Sequence, residues 1–253
     1  MHLFAKINAL GKNGDAQMEA NTRETDISVT IEPRVAVVGL GGAGCNVASG
    51  FYKALAPVNT IAINTDRKAL DETVADKKIY ICKAVTKGEG TKGDARLGNK
   101  CAKVHEDEIE KAVRGHDIVF LITGLGGGTG TGATSVVAEI CNRNNIMTFV
   151  IGINPFFFEA NIATAREGLR TIRAVCPNTF VIENDKILEI MPNATMNEAM
   201  RAVNKSIISF VNEATSKIVS GIEDEVVSIQ KTGTLKEMSI NMPEIKISSG
   251  IKI

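Results

Sequence analysis

The sequence predicts a doubly wound α/β domain with a mostly parallel sheet, and three observations carry that expectation. Short, β-branched apolar runs recur at Val35 to Val38, Thr60 to Ile63, Ile79 to Ile81, Ile118 to Ile122, Met147 to Ile151 and Thr179 to Ile182. Segments of helix length separate them. Two of the runs lead directly into glycine-rich turns. Strands that are apolar along their whole length are buried on both faces, as in a parallel sheet covered by helices. Helix-length connectors are what parallel crossovers require.

In chain order, residues 1–30 are polar after the opening MHLFAKINAL and read as a flexible arm. Val35 to Val38 is the first core strand, and GLGGAGCN, Gly39 to Asn46, follows it with G-x-G-x-x-G at Gly39, Gly41 and Gly44. The second run ends in TIAINTD, placing Asn64 and Asp66 just past a strand. After Ile79 to Ile81 comes the loop KGEGTKGDARLGNK, Lys87 to Lys100, then a charged helix from Cys101 to Gly115 flanked by the surface residues His105 and His116. Ile118 to Ile122 leads into GLGGGTGTGA, Gly124 to Ala133, with a helix expected over Ala133 to Asn142. NPFFFE follows the fifth run. Beyond the sixth, helices are expected at Asp185 to Met191, Asn197 to Gly221 and Asp224 to Ile229. The long one places Ala199, Val203, Ile207, Phe210, Val211, Ala214 and Ile218 on one core-facing stripe. The last stretch, KTGTLKEMSINMPEIKISSGIKI, alternates apolar and polar residues like a short strand or strand pair.

Composition narrows the function classes. The 253 residues are 44% apolar, enough for one sizeable core, and 29 basic residues balance 29 acidic ones. That balance gives no electrostatic case for nucleic acid or an acidic membrane. Cys45, Cys82, Cys101, Cys141 and Cys176 are scattered without a C-x-x-C pair or nearby histidines. This argues against zinc and against a secreted disulfide framework, and fits a reducing cytoplasm. No apolar stretch reaches the roughly 18 residues that a transmembrane segment needs, and no signal peptide is visible at the start.

Six of the ten positions in GLGGGTGTGA are glycine. Glycine in a regular element costs about 0.5–1 kcal/mol relative to alanine, so bare backbone here needs a reason. Converging N–H groups and the N-terminus of the following helix suit an anion, with Thr129 and Thr131 adding hydroxyls. The turn at Gly39 to Asn46 taken alone, with Asp66 as a ribose-binding acid, also fits a dinucleotide site, and an NAD-dependent oxidoreductase is the alternative reading. A second cradle is redundant in such an enzyme. Both turns leave the carboxyl ends of parallel strands and can face one crevice, where two cradles suit a chain of phosphates.

GLGGAGCN, NTD at Asn64 to Asp66, GGGTGTG at Gly126 to Gly132, NPFFFE at Asn154 to Glu159 and END at Glu183 to Asp185 together resemble the tubulin/FtsZ family of GTP-binding, filament-forming proteins. The resemblance is closer to FtsZ, and divides the chain into an arm (1–30), a nucleotide-binding domain with a long central helix (31–221) and a short C-terminal segment (222–253). It implies GTP, or another nucleoside triphosphate, with magnesium. Gly41, Gly42 and Asn46 would contact the proximal phosphates, and Gly127, Gly128, Thr129 and Gly130 the distal ones. Asn64 and Asp66 would flank the metal-nucleotide region, and Glu159 would bind the ribose hydroxyls. Asn184, Met200 and Asn204 would reach the base.

Several positions depart from the family pattern. Ala163 stands where the family places an arginine, Lys92 where it places glycine, and Met200 where an aromatic stacks on the base. Lys205 replaces an aspartate that accepts the guanine hydrogens, and lysine has donors only. About 30 residues follow the central helix, and they contain no N-x-D-x-x-D loop of the kind that activates water in a neighbouring subunit. The implied role is a cytoplasmic binding or regulatory module of a division or cytoskeletal system, docking to a full-length FtsZ relative, with weak hydrolysis of its own. A GTPase completed by a partner subunit is the second reading. Gly128→Val is expected to abolish binding and leave the fold intact.

Overall fold

The computed structural model describes residues 32–52, 58–159, 161–232 and 240–245. The N-terminal arm and most of the alternating C-terminal stretch lie outside them. Six strands, β1 (Val35–Leu40), β2 (Val58–Asn64), β3 (Lys77–Tyr80), β4 (Ile118–Gly124), β5 (Met147–Asn154) and β6 (Thr179–Glu183), form one sheet. All pairings are parallel and the order is β3-β2-β1-β4-β5-β6. Five strands contain a whole apolar run, as expected of a sheet whose two faces are both covered, while the edge strand β3 begins two residues before the third run and stops at Tyr80, short of Ile81.

Side chains of successive residues point to opposite faces. Ala36, Val38, Leu40, Val119 and Leu121 face α4 (Ala95–Val104), α5 (Glu106–Val113), α6 (Gly128–Arg143) and α7 (Ile162–Val175). Val35, Val37, Ile118, Phe120 and Ile122 face α1 (Gly41–Ser49), α8 (Asn184–Ile190) and α9 (Met196–Thr232). The short helices α2 (Arg67–Glu72) and α3 (Lys83–Thr86) lie in the connections after β2 and β3. Complete burial of each Val, Leu, Ile or Phe contributes about 1.5–3 kcal/mol, so these two layers supply most of the driving force.

The expected helices after position 196 are one helix. α9 passes Gly221 without a break because Ile218, Ile222 and Val226 stay buried on one stripe, offsetting the roughly 1 kcal/mol that an interior glycine costs. Its start is a capping box. The Thr195 N–H donates to Glu198 Oε2 at 2.8 Å and the Glu198 N–H donates to Thr195 Oγ1 at 3.3 Å. The charged helix expected over Cys101 to Gly115 is instead interrupted at His105, between α4 and α5. Residues 240–245 form no strand; Ile240, Met242 and Ile245 pack on the α9 layer.

One ion pair ties the start of β1 to the residue before β4. Asp117 Oδ2 accepts the Arg34 backbone N–H at 2.9 Å and its Nε at 3.3 Å. Burial pushes the Asp117 carboxyl up, but the Arg34 backbone N–H and guanidinium outweigh it and hold the group below the usual aspartate range. A carboxyl depressed in the folded state contributes stability that is complete above its unfolded pKa and is lost as pH falls through the folded one. Arg34 is half exposed, so the contribution is about 1 kcal/mol. Asp117→Asn is expected to lower stability by about that amount at pH 7 and to flatten its fall in acid, as read by urea midpoints across pH 7 to 3.

Candidate phosphate-binding site

The strand order reverses between β1 and β4, the point of a doubly wound sheet where ligands bind beyond the carboxyl ends of the strands. The register Leu40↔Thr123 brings the two glycine turns side by side. Each turn becomes helix earlier than the sequence suggests: α1 begins at Gly41 and α6 at Gly128, inside the turns. No side chain caps either helix. Their first N–H groups, and the positive ends of both helix dipoles, are therefore left for a ligand.

The turns touch. A Cβ on Gly41, whose φ is +69°, would lie 2.8 Å from the backbone nitrogen of Gly130. Around this contact opens a cavity of about 370 Å³ whose wall includes Gly41, Gly42, Asn64, Asp66, Gly127, Gly128, Thr129, Gly130 and Glu159. Asn46 is exposed on α1, outside that wall. Asn184 is buried at the start of α8, Met200 and Asn204 are half-buried on α9, and Lys205 is exposed. None of these four lines the cavity.

The side chains of the wall have defined tasks. Asn64 Oδ1 accepts the N–H groups of Thr65 at 2.8 Å and Asp66 at 3.2 Å, which leaves its buried Nδ2 without a partner. A buried amide donor with no acceptor is costly, and a phosphate oxygen would satisfy it. Thr129 Oγ1 lies 2.5 Å from Thr65 Oγ1 and 3.4 Å from Thr91 Oγ1. Its hydroxyl thus ties three segments together, leaving its backbone to serve the cradle. Asp66 caps α2 through the Ala69 N–H at 2.9 Å, and Glu159 Oε1 accepts the Phe156 N–H at 2.9 Å. Glu89 Oε2 pairs with Lys92 Nζ at 2.6 Å.

Three further expectations change. Gly128 has no room for a side chain: its Cβ would fall on Thr91 Oγ1 and lie 2.7 Å from the Asp94 backbone nitrogen. Gly128→Val therefore disturbs the fold as well as the cradle. His105 and His116 are held rather than loose: His105 Nε2 accepts the Cys82 N–H at 2.9 Å, and His116 Nε2 meets Asn59 Nδ2 at 3.0 Å. The cysteines include one disulfide, Cys82–Cys101, with Cα atoms 5.2 Å apart. Cys45 and Cys141 are buried, which pushes their thiols up to about 12 and leaves them inert core residues. Among the described residues no three His, Cys, Asp or Glu side chains converge on a metal position, and no helix is long and apolar enough to cross a membrane.

Two uncapped helix N-termini meeting at the switch point of a parallel sheet define a doubly wound α/β domain with a candidate anion site. The strand order alone is shared with dinucleotide-binding domains. Sequence similarity separates them: residues 34–192 match the GTPase domain of the tubulin/FtsZ family, and the chain belongs to that family. It is 37% identical over 189 residues to cell division protein FtsZ 2 of Methanocaldococcus jannaschii, covering 74% of this chain and 50% of that protein. With cell division protein FtsZ 1 of Archaeoglobus fulgidus the identity is 38% over 187 residues, covering 73% and 51%. The chain spans about half the length of these relatives. A solved M. jannaschii FtsZ dimer superposes with a TM-score of 0.70 at 36% identity, covering 75% of this chain and 56% of that one. CetZ2 of Haloferax volcanii, solved as a GTPγS-bound protofilament, shares the fold with a TM-score of 0.64 at 24% identity, covering 77% and 62%. The oxidoreductase alternative has no support in these matches.

Proposed function

We propose that the chain binds GTP at the meeting of its two glycine turns and serves as a binding or regulatory module of a cytoplasmic cell-division or cytoskeletal system. The observation that carries this reading is the contact of Gly41 with Gly130, which aims two uncapped helix starts at one cavity beside the unpartnered Asn64 Nδ2. Gly41 and Gly42 would hold the proximal phosphates, and the backbone of Gly127 to Gly130 the distal ones. Magnesium would arrive on the phosphates, with Asp66 an acid of the wall beside them. Glu159 would meet the ribose. Asn184, with its unpartnered Oδ1, and Met200, Asn204 and Asn46 would complete the nucleoside side and the rim.

Slow turnover by the isolated chain belongs to the same proposal. Phosphoryl transfer to water needs a group that orients the attacking water. Of the cavity's carboxylates, Asp66 caps α2 and Glu159 holds the Phe156 N–H, so neither is placed to orient a water. A partner subunit, such as a full-length FtsZ relative, would supply the missing acid.

The test is equilibrium binding of GTP, ATP and NAD side by side, with phosphate release followed in magnesium. GTP is expected to bind and NAD to show no saturable binding, with slow release that rises when a full-length relative is added. Stoichiometric NAD binding would overturn the phosphate-chain reading. Steady release and filaments from the chain alone would overturn the slow-turnover part.

A further inference from the structure

We infer that Lys92 reads the terminal phosphate, exchanging its ion pair with Glu89 for the γ-phosphate and so distinguishing triphosphate from diphosphate; this rests on the triphosphate reading of the cavity. The wall carries three carboxylates, Asp66, Glu89 and Glu159, and among the described residues a single cationic side chain, Lys92. A ligand with several negative charges entering such a wall meets repulsion from fixed acids and one ammonium able to answer it. That ammonium lies 2.6 Å from Glu89 Oε2. Both side chains are mostly exposed, at 73% and 65%, so the pair is loosely held and open to exchange. A terminal phosphate, with nearly two charges, is the stronger acceptor.

The backbone supports the assignment. Lys92 has φ +50°, the left-handed region that side-chain-bearing residues rarely adopt. Glycine would sit there without strain, so what this position retains is the side chain. The loop that presents it is anchored on both sides. Thr91 and Asp94 press against Gly128 at the start of α6, and the Arg67 N–H donates to Gly88 O at 3.0 Å. The root of Lys92 is thereby fixed relative to the cradle while its four-carbon stem remains free to move. Glu89 holds the Lys92 ammonium above the usual lysine range, and Lys92 holds the Glu89 carboxyl below its own, so both are charged near neutrality. Loss of the γ-phosphate returns Lys92 to Glu89.

The experiment measures GTPγS and GDP affinities in magnesium for the wild type and for Lys92→Gly, Lys92→Gln and Glu89→Gln, with melting temperatures alongside. Lys92→Gln is expected to lower GTPγS affinity about tenfold and GDP affinity less than twofold. Lys92→Gly should lose the same discrimination while melting at or above the wild-type temperature, because the left-handed position suits it; a merely structural lysine would not behave so. Glu89→Gln should strengthen GTPγS binding by freeing the ammonium. Equal losses for both nucleotides, or no change in their ratio, overturn the inference while leaving the cavity reading standing. If the wild type binds neither nucleotide, the cavity reading itself falls and takes the inference with it.

Discussion

Gly42→Asp is expected to weaken GTP binding by about a hundredfold or more while the melting temperature stays within about 2 °C of wild type. Gly42 is exposed, its φ lies outside the left-handed region, and a Cβ there meets no atom within 4 Å. The protein has no folding reason to keep it bare. It also lines the cavity between the two helix starts, so an aspartate places bulk and negative charge where the proximal phosphates would lie. Losing two charge-assisted hydrogen bonds, at about 1.5–3 kcal/mol each, gives the stated factor. Calorimetric titration with GTP and a thermal melt of the same sample check both halves. A folded Gly42→Asp protein that binds GTP as tightly as wild type would sink the cradle assignment.

Gly128→Val is expected to do the opposite: to damage the fold first. Its Cβ would overlap Thr91 Oγ1 and approach the Asp94 backbone nitrogen and oxygen at 2.7 and 2.9 Å. Because two of those neighbours are backbone, relief requires moving the start of α4 rather than one rotamer. Overpacking of this kind costs about 3 kcal/mol, at the upper end of the usual range, and in a domain of this size lowers the melting temperature by about 6–12 °C. Loss of binding follows from the displaced turn. A Gly128→Val protein with a wild-type urea midpoint would show that the α4–α6 contact is softer than its geometry implies.

The difference between these two glycines marks what the sequence could and could not reveal. The central strands β1, β4 and β5 were legible because a strand buried on both faces has no polar side to interrupt it, and the edge strands β3 and β6, partly exposed, because their short β-branched runs stand between helix-length segments. The paired turns were legible because so many glycines after a strand have few other uses. Which glycine is open to the cavity and which is packed against a neighbouring segment depends on the start of α4, some 30 residues earlier in the chain than Gly128, and no local pattern contains that. The helix starts at Gly41 and Gly128 were hidden because glycine depresses helix propensity where tertiary packing imposes the helix anyway. Gly221 misled in the same way within α9. Thr91 left one faint signal, a hydroxyl between Gly90 and Gly93 in KGEGTKG. The Cys82–Cys101 pairing left none, since connectivity depends on where β3 ends relative to α4.

The contact between Gly41 and Gly130 also sets a clock. The two residues are 89 positions apart (130 − 41 = 89). At about 5–20 residues per second of synthesis, roughly 4 to 18 s pass between the emergence of one half of the cradle and the other. For most of that interval β1 lacks β4, its neighbour on one side, and until its end the first glycine turn has no second turn opposite it. Nucleotide capture at the proposed cradle would therefore be a late event in the life of a nascent chain. Binding as proposed would add RT ln(1 + [L]/Kd) to the stability of the assembled sheet, so a cell rich in nucleotide would retain the finished domain more firmly than any of its unfinished forms.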